Sequence, residues 1–289
     1  MKAGYVTPPI VVTGASGFAG RNLVRYLDAQ GIATVALARR AIALPVSANV
    51  SVQAVSSYAE YVPPAGSVLI HLAEPPHIAS VDAKGQAHID QMVGQASALL
   101  ARNYRRTIYA SSATVYGDGS DSPWTPERPL AESPKVYAQA KLAVERLFLS
   151  ARGAVARVTN LYGPGMASST IFADILGQLG QPGPVTIREA TPIRDYLWVH
   201  DAAAAFAAMA LHERSGIYNV ASGSVIACGD LAHLILRLAG ESGREVVAKQ
   251  PPRHSVLRID VEKTKRDLAW SPKVSLETGI EVLLKSEVP

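Results

Sequence analysis

The chain has 289 residues, 48% of them hydrophobic and 18% charged, which is ample for a packed core and longer than the usual core of about 100 to 200 residues. These figures exclude a peptide-sized module and an intrinsically disordered chain. The net charge of +4, from 28 basic and 24 acidic residues, is scattered along the sequence, so it points to no nucleic acid and suits an anionic small ligand.

Apolar, strand-like runs at 10–12, 34–37, 68–72, 107–110 and 154–158 alternate with predicted helices at about 18–30, 80–103 and 134–151. Continuous apolar strands predict a parallel sheet covered by helices on both faces, a doubly wound α/β architecture. Past Asn160 the breakers Gly163-Pro164-Gly165 and Gln181-Pro182-Gly183-Pro184 introduce shorter, mixed segments. Residues 1–160 are therefore expected to form a nucleotide-binding domain, and 161–289 mainly a smaller α/β lobe with some segments returning to the first. Within that lobe, 217–220 reads as a strand and 231–238 and 274–284 as helices. Trp198 and Trp270 read as its core anchors. Cys228, the single cysteine, makes no internal disulfide and is expected to be buried at a helix start. No window approaches the roughly 18 apolar residues of a membrane span, so no membrane association is expected. The opening MKAGYVTPPIVVTG lacks the apolar stretch of a secretory signal, and cytoplasm is the expected location.

The first strand runs into Thr13-Gly14-Ala15-Ser16-Gly17-Phe18-Ala19-Gly20 and then into a helix, the context of a dinucleotide-binding loop. Gly14 turns the chain sharply, Gly17 lets backbone amides approach a pyrophosphate at the helix start, and Gly20 permits close helix–strand packing. The second strand ends in Arg39-Arg40, where an NAD site usually offers a carboxylate to the ribose. A guanidinium suits a 2′-phosphate, so NADP(H) is favoured and NAD(H) is the alternative; a solvated surface pair is the bland reading.

Ser112 lies at the end of the strand that carries Ala110-Ser111-Ser112, and Tyr137-Ala138-Gln139-Ala140-Lys141 follows on a predicted helix. The i, i+4 spacing puts Tyr137 and Lys141 on one face, where the ammonium and a nearby oxidised nicotinamide would lower the phenol pKa from about 10 toward neutrality. Such a tyrosine removes or donates the proton that accompanies hydride transfer, and Ser112 can hydrogen-bond the same oxygen. The histidines have no metal-ligand spacing, and no metal is predicted.

Taken together, TGASGFAG, SSATVYG and YAQAK resemble the extended short-chain dehydrogenase/reductase family of nucleotide-sugar epimerases, dehydratases and 4-ketoreductases. Arg157 to Pro164 looks like its RxxNxYGP segment, Arg194 to Asp201 like its RDYxxVxD segment, and Asp260 to Pro272 extends the likeness nearly to the C-terminus. The resemblance implies a Rossmann-type fold and a catalytic triad of Ser112, Tyr137 and Lys141. It places Leu72 and Ala73, after His71, beside the cofactor with Gly14, Gly17, Phe18, Gly20, Tyr137 and Lys141. It also implies that Asn160, Arg194 and Arg253 hold the diphosphate of a sugar nucleotide, with Thr114 at the sugar. Arg194 paired with Asp195, and Arg253 as a surface residue, are the structural alternatives. Tyr116 and Tyr162 either line the sugar pocket or pack.

Departures narrow the reaction. Family dehydratases generally carry Asp-Glu where this chain has Ala113-Thr114, and neither replacement is an acid or base at neutral pH. A 4-ketoreductase is favoured, a 4-epimerase is the alternative, and a non-catalytic NAD(P)-binding regulator is the alternative of another class. Gln91 stands where many relatives have asparagine, and Glu74-Pro75-Pro76 after His71-Leu72-Ala73 is unusual. The resemblance also suggests a homodimer through the helices at 80–103 and 134–151.

Overall fold

A computed structural model describes residues 9–74, 81, 83–120 and 122–286. Its main sheet has seven parallel strands: β1 (Ile10–Thr13), β2 (Thr34–Ala38), β3 (Val50–Ala54), β4 (Val68–His71), β5 (Arg106–Ser112), β6 (Ala154–Val158) and β11 (Gly216–Val220), in the order β11-β6-β5-β4-β1-β2-β3. Strand side chains alternate between the two faces and both faces are buried, which is why these strands read as unbroken apolar runs. Ile10, Val12, Ile70, Ile108 and Ala156 face one way; Val11, Leu69, Tyr109 and Val155 face the other.

Helix α1 (Phe18–Ala29) covers the first face together with α5 (Val199–Leu211), through Leu23, Val24, Leu27, Phe206 and Met209. On the second face lie α2 (Gln86–Leu100) and α3 (Val136–Ser150), packed through Met92, Ala96, Leu99, Val144 and Phe148. Sequence order reverses between β1 and β4, so the C-terminal ends of β1, β4 and β5 open onto one crevice, the place where such sheets bind ligands.

Beside the sheet lies a second core built from α4 (Ile171–Leu176), α6 (Cys228–Leu238) and α8 (Leu276–Ser286). Three short strand pairs frame it: β7 (Asn160–Tyr162) with β10 (Tyr196–Trp198), β8 (Val185–Ile187) with β13 (Val246–Ala248), and β9 (Ile193–Arg194) with β12 (Ile226–Ala227). Phe172, Ile175, Trp198, Leu231, Ile235, Ile280 and Leu283 fill this core. Helix α7 (Glu262–Leu268) returns to the main sheet beside β11.

Two assignments to the smaller lobe are corrected. The 217–220 run pairs with β6 at the edge of the main sheet, and Trp270 packs in the core between that sheet and α5 while donating its indole N–H to the Asp201 carbonyl at 3.0 Å. Half-apolar GIYNV and a lone tryptophan fit either core, so local pattern could not assign them. Tyr116 and Tyr162 are packing residues, 4% and 1% exposed, each stacked on an aromatic neighbour. Cys228 is buried at the first position of α6. Of the predicted helix at 80–103, residues 86–100 form α2 and 83–85 make a turn before it, Gly85 standing at φ 54°; residues 75–80 and 82, Pro75-Pro76 among them, lie outside the described residues.

Candidate active site

The glycine turn occupies the space between β1 and α1. Gly14 has φ 75°, and a Cβ there would lie 2.8 Å from the Ala73 backbone. At Gly20 a Cβ would overlap the Gly14 carbonyl, so glycine is what lets α1 lie against the turn. Gly17 is the N-cap of α1 and Phe18 its first residue; no side chain caps the helix, which leaves its first amides for an anionic group. Leu72 N donates to Thr13 O at 3.2 Å, bringing the Leu72-Ala73 segment alongside the turn. Beyond β2, Arg39 borders a cavity of about 280 Å³ that Tyr58, His71, Ala73, Glu74 and Gln91 also line; Arg40 is exposed and does not line it.

Ser112 ends β5 and caps the following 3-10 turn, accepting the Thr114 amide at 3.2 Å and the Thr114 hydroxyl at 2.9 Å. Helix α3 delivers Tyr137 and Lys141, and Tyr137 hydrogen-bonds with both Ser112 and Lys141. The helix is pinned by a buried network in which Glu145 accepts from Ser111 Oγ at 2.5 Å and Arg157 Nη2 at 2.7 Å, joining α3 to β5 and β6. Lys141 Nζ donates to the Ala110 carbonyl at 2.6 Å and meets Glu74 Oε2 at 2.5 Å, while the Tyr109 hydroxyl donates to Glu74 Oε1 at 2.5 Å.

These neighbours set the ionisation states. Burial pushes the Tyr137 phenol above its ordinary value, with Lys141 pulling it down and Glu74 pushing it up. Burial disfavours the Lys141 ammonium, but Glu74 and Tyr137 more than offset this and hold its pKa above the usual lysine range. His71, hydrogen-bonded to Thr13 Oγ1 at 2.6 Å, is driven down to about 3 by burial and then by Lys141, so it stays neutral.

On the smaller-lobe side, Arg194 and Arg253 converge on Asp118, each at 3.6 Å. Arg194 also donates to the Ser255 hydroxyl at 2.6 Å, and Arg253 grips Glu189 through two bonds of 2.7 and 3.1 Å. The pairing of Arg194 with Asp195 is not what forms: the Asp195 carboxylate accepts the Ser222 and Gly223 amides at 2.9 and 2.8 Å. Asn160 donates its amide to the Asp195 carbonyl at 3.0 Å, and Thr114 is exposed above Ser112.

The model of the NAD dependent epimerase/dehydratase family matches residues 10–221. The chain belongs to that family. It is 26% identical over 311 aligned positions to GDP-6-deoxy-D-mannose reductase of Pseudomonas aeruginosa, covering 96% of this chain and 97% of that protein. Among solved structures, UDP-glucose 4-epimerase of Thermotoga maritima with UDP-glucose matches with a TM-score of 0.83 and 22% identity over 96% of this chain and 97% of that one. RMD of Pseudomonas aeruginosa complexed with NADPH gives 0.79 at 24% identity, covering 98% and 100%. Within this NAD(P)-binding family, the tight glycine turn and the uncapped start of α1 fit a dinucleotide, because the helix presents free amides to an anionic group directly after the turn.

Two carboxylates of the site had no assigned part in the sequence reading. Glu74 was visible only as an unusual residue after His71-Leu72-Ala73, and its meeting with Lys141 joins positions far apart in sequence. Asp118 carried no signal beyond its place after Tyr116-Gly117.

Proposed function

We propose that the chain is an NADPH-dependent 4-ketoreductase acting on a nucleotide-diphosphate sugar, with a nucleotide-binding domain over 1–160 and a substrate lobe drawn mainly from 161–289. The observation that carries this reading is Arg39, which borders the cavity past the end of β2 where a 2′-phosphate would be recognised. Ala113-Thr114, in place of the acidic pair of the dehydratases, argues against sugar dehydration. The similarity to GDP-6-deoxy-D-mannose reductase points the same way.

When bound, NADPH supplies the hydride that reaches the C4 carbonyl carbon. Tyr137 gives its hydroxyl proton to the carbonyl oxygen, Ser112 hydrogen-bonds that oxygen and fixes its position, and the Lys141 ammonium stabilises the phenolate that remains. Arg194 and Arg253 exchange Asp118 for the diphosphate, and Asn160 and Thr114 complete the substrate side. Binding energy from the distant nucleotide then orients the sugar. A homodimer through α2 and α3 belongs to the same reading, and native mass measurement tests it.

The deciding experiment supplies the purified protein with NADPH or NADH and a panel of 4-keto-6-deoxy sugar nucleotides. Stoichiometric NADPH consumption with formation of the 4-hydroxy sugar supports the reading. Retained NAD, and interconversion of C4 epimers without net cofactor consumption, would instead establish the 4-epimerase.

A further inference from the structure

One largely enclosed carboxylate stands inside the catalytic cluster with no part in the reaction as proposed. The side chains of Glu74 and Lys141 are only 14% and 6% exposed, and both Glu74 oxygens are engaged, one by Tyr109 and one by Lys141. Lys141 in turn is held by the Ala110 carbonyl and Glu74, with the Tyr137 ring beside it. An ammonium alone beside a phenol favours the phenolate; an ammonium already matched by a carboxylate at contact distance does so far less, because the two fields oppose each other at the phenol.

We propose that Glu74 is a positioning residue which, as counter-ion of Lys141, keeps Tyr137 in its hydroxyl form and so biases the site toward carbonyl reduction. This deepens, and rests on, the reading of Tyr137 as the proton donor of a ketoreductase. The other charged and titratable groups around the pair leave its balance standing. Glu145, beyond Lys141 on α3, is matched by Arg157 at 2.7 Å. His71, at the end of β4, is neutral. Tyr109 on β5 is itself held protonated by burial and by Glu74. His88 on α2 is shifted down by burial, with Glu74 opposing and Lys84 assisting, and Lys84 and Arg39 lie across the cavity. Glu74 offsets part of the pull that Lys141 exerts, and burial, the largest influence at Tyr137, raises the phenol. A raised phenol pKa leaves a full complement of proton donor at neutral pH. It correspondingly depletes the phenolate that alcohol oxidation requires, tenfold for each pH unit below the pKa.

The test needs neither substrate nor cofactor. The ultraviolet phenolate absorbance of the protein is titrated with and without Tyr137→Phe, so that the difference isolates Tyr137, and the same pair is prepared in Glu74→Gln and Glu74→Leu backgrounds. The Tyr137 midpoint is expected to fall by about one pH unit or more when the charge is removed, and to stay near wild type in Glu74→Asp, which keeps the charge. Two neutral replacements guard against one failing to fold, and a purely structural role would lower thermal stability without moving the midpoint. A midpoint unmoved in either folded neutral variant overturns the proposal even if the wild type proves to be a ketoreductase. A midpoint that falls in a protein that reduces no keto sugar would leave the electrostatic role standing and sink the functional reading alone.

Discussion

Asp118 is a carboxylate 3.6 Å from both Arg194 and Arg253, so under the proposed function the substrate diphosphate displaces it. Asp118→Asn is expected to tighten nucleotide-diphosphate binding by about 0.5 to 1 kcal/mol, the scale of a partly exposed ion pair. Arg194→Ala should weaken the same ligand by about 1.5 to 3 kcal/mol, as loss of a hydrogen bond to a charged group does, and leave NADPH binding intact. Calorimetric titration separates the two ligands, and an equal loss for both would make Arg194 a support of the fold. Arg39→Asp is expected to reverse a preference for NADPH over NADH, because it exchanges attraction for repulsion at the 2′-phosphate; equilibrium binding of the two cofactors reads this directly. Of the two arginines written together in the sequence, Arg39 borders the cavity and Arg40 does not, a distinction that strand ends conceal because the chain turns there. His71 adds a pH signature. Its folded pKa of about 3 lies below the ordinary 6.5, so its contribution to stability is complete above pH 6.5 and is lost as pH falls toward 3, where the unfolded chain takes a proton that the native one refuses. Between pH 7 and pH 5 the wild type should lose about 2 kcal/mol more than His71→Gln in urea denaturation.

Among the elements, the clearest in the sequence is also the most constrained in space. The turn between β1 and α1 was legible because glycine spacing and the strand–helix context are both local, and Gly20 shows why the spacing matters. In Gly20→Ala the added methyl overlaps the Gly14 carbonyl, and α1 must move away from the turn. NADPH affinity is expected to fall at least about tenfold, with a stability cost of about 1 to 3 kcal/mol, measurable by fluorescence titration and thermal melting. Strand β3 escaped prediction for the opposite reason: VSVQA sits at the sheet edge, half exposed, and lacks the continuous apolar run of the inner strands. Glu74 and Asp118 went unassigned because their partners arrive from other elements, and an ion pair between remote residues leaves no periodic trace.

The whole molecule is held together by returns of the chain that cross between its two cores. Asp201, near the start of α5, has one carboxylate oxygen that accepts the Lys273 and Val274 amides at 3.0 and 2.9 Å, where the chain leaves Trp270 for α8. Asp201→Ala should cost about 1 to 3 kcal/mol through amides that lose their acceptor, read as a lower denaturation midpoint. Cys228 offers a different use of the same architecture. It is the single thiol of the chain, buried at the head of α6, 3.7 Å from the Tyr196 hydroxyl, with its pKa raised by burial. A thiol reagent reaches it when that end of the helix opens, so its labelling rate counts the excursions of the smaller lobe one molecule at a time. A ligand that ties Arg194 and Arg253 down on the smaller lobe would slow that clock, and no engineered cysteine would be needed to hear it.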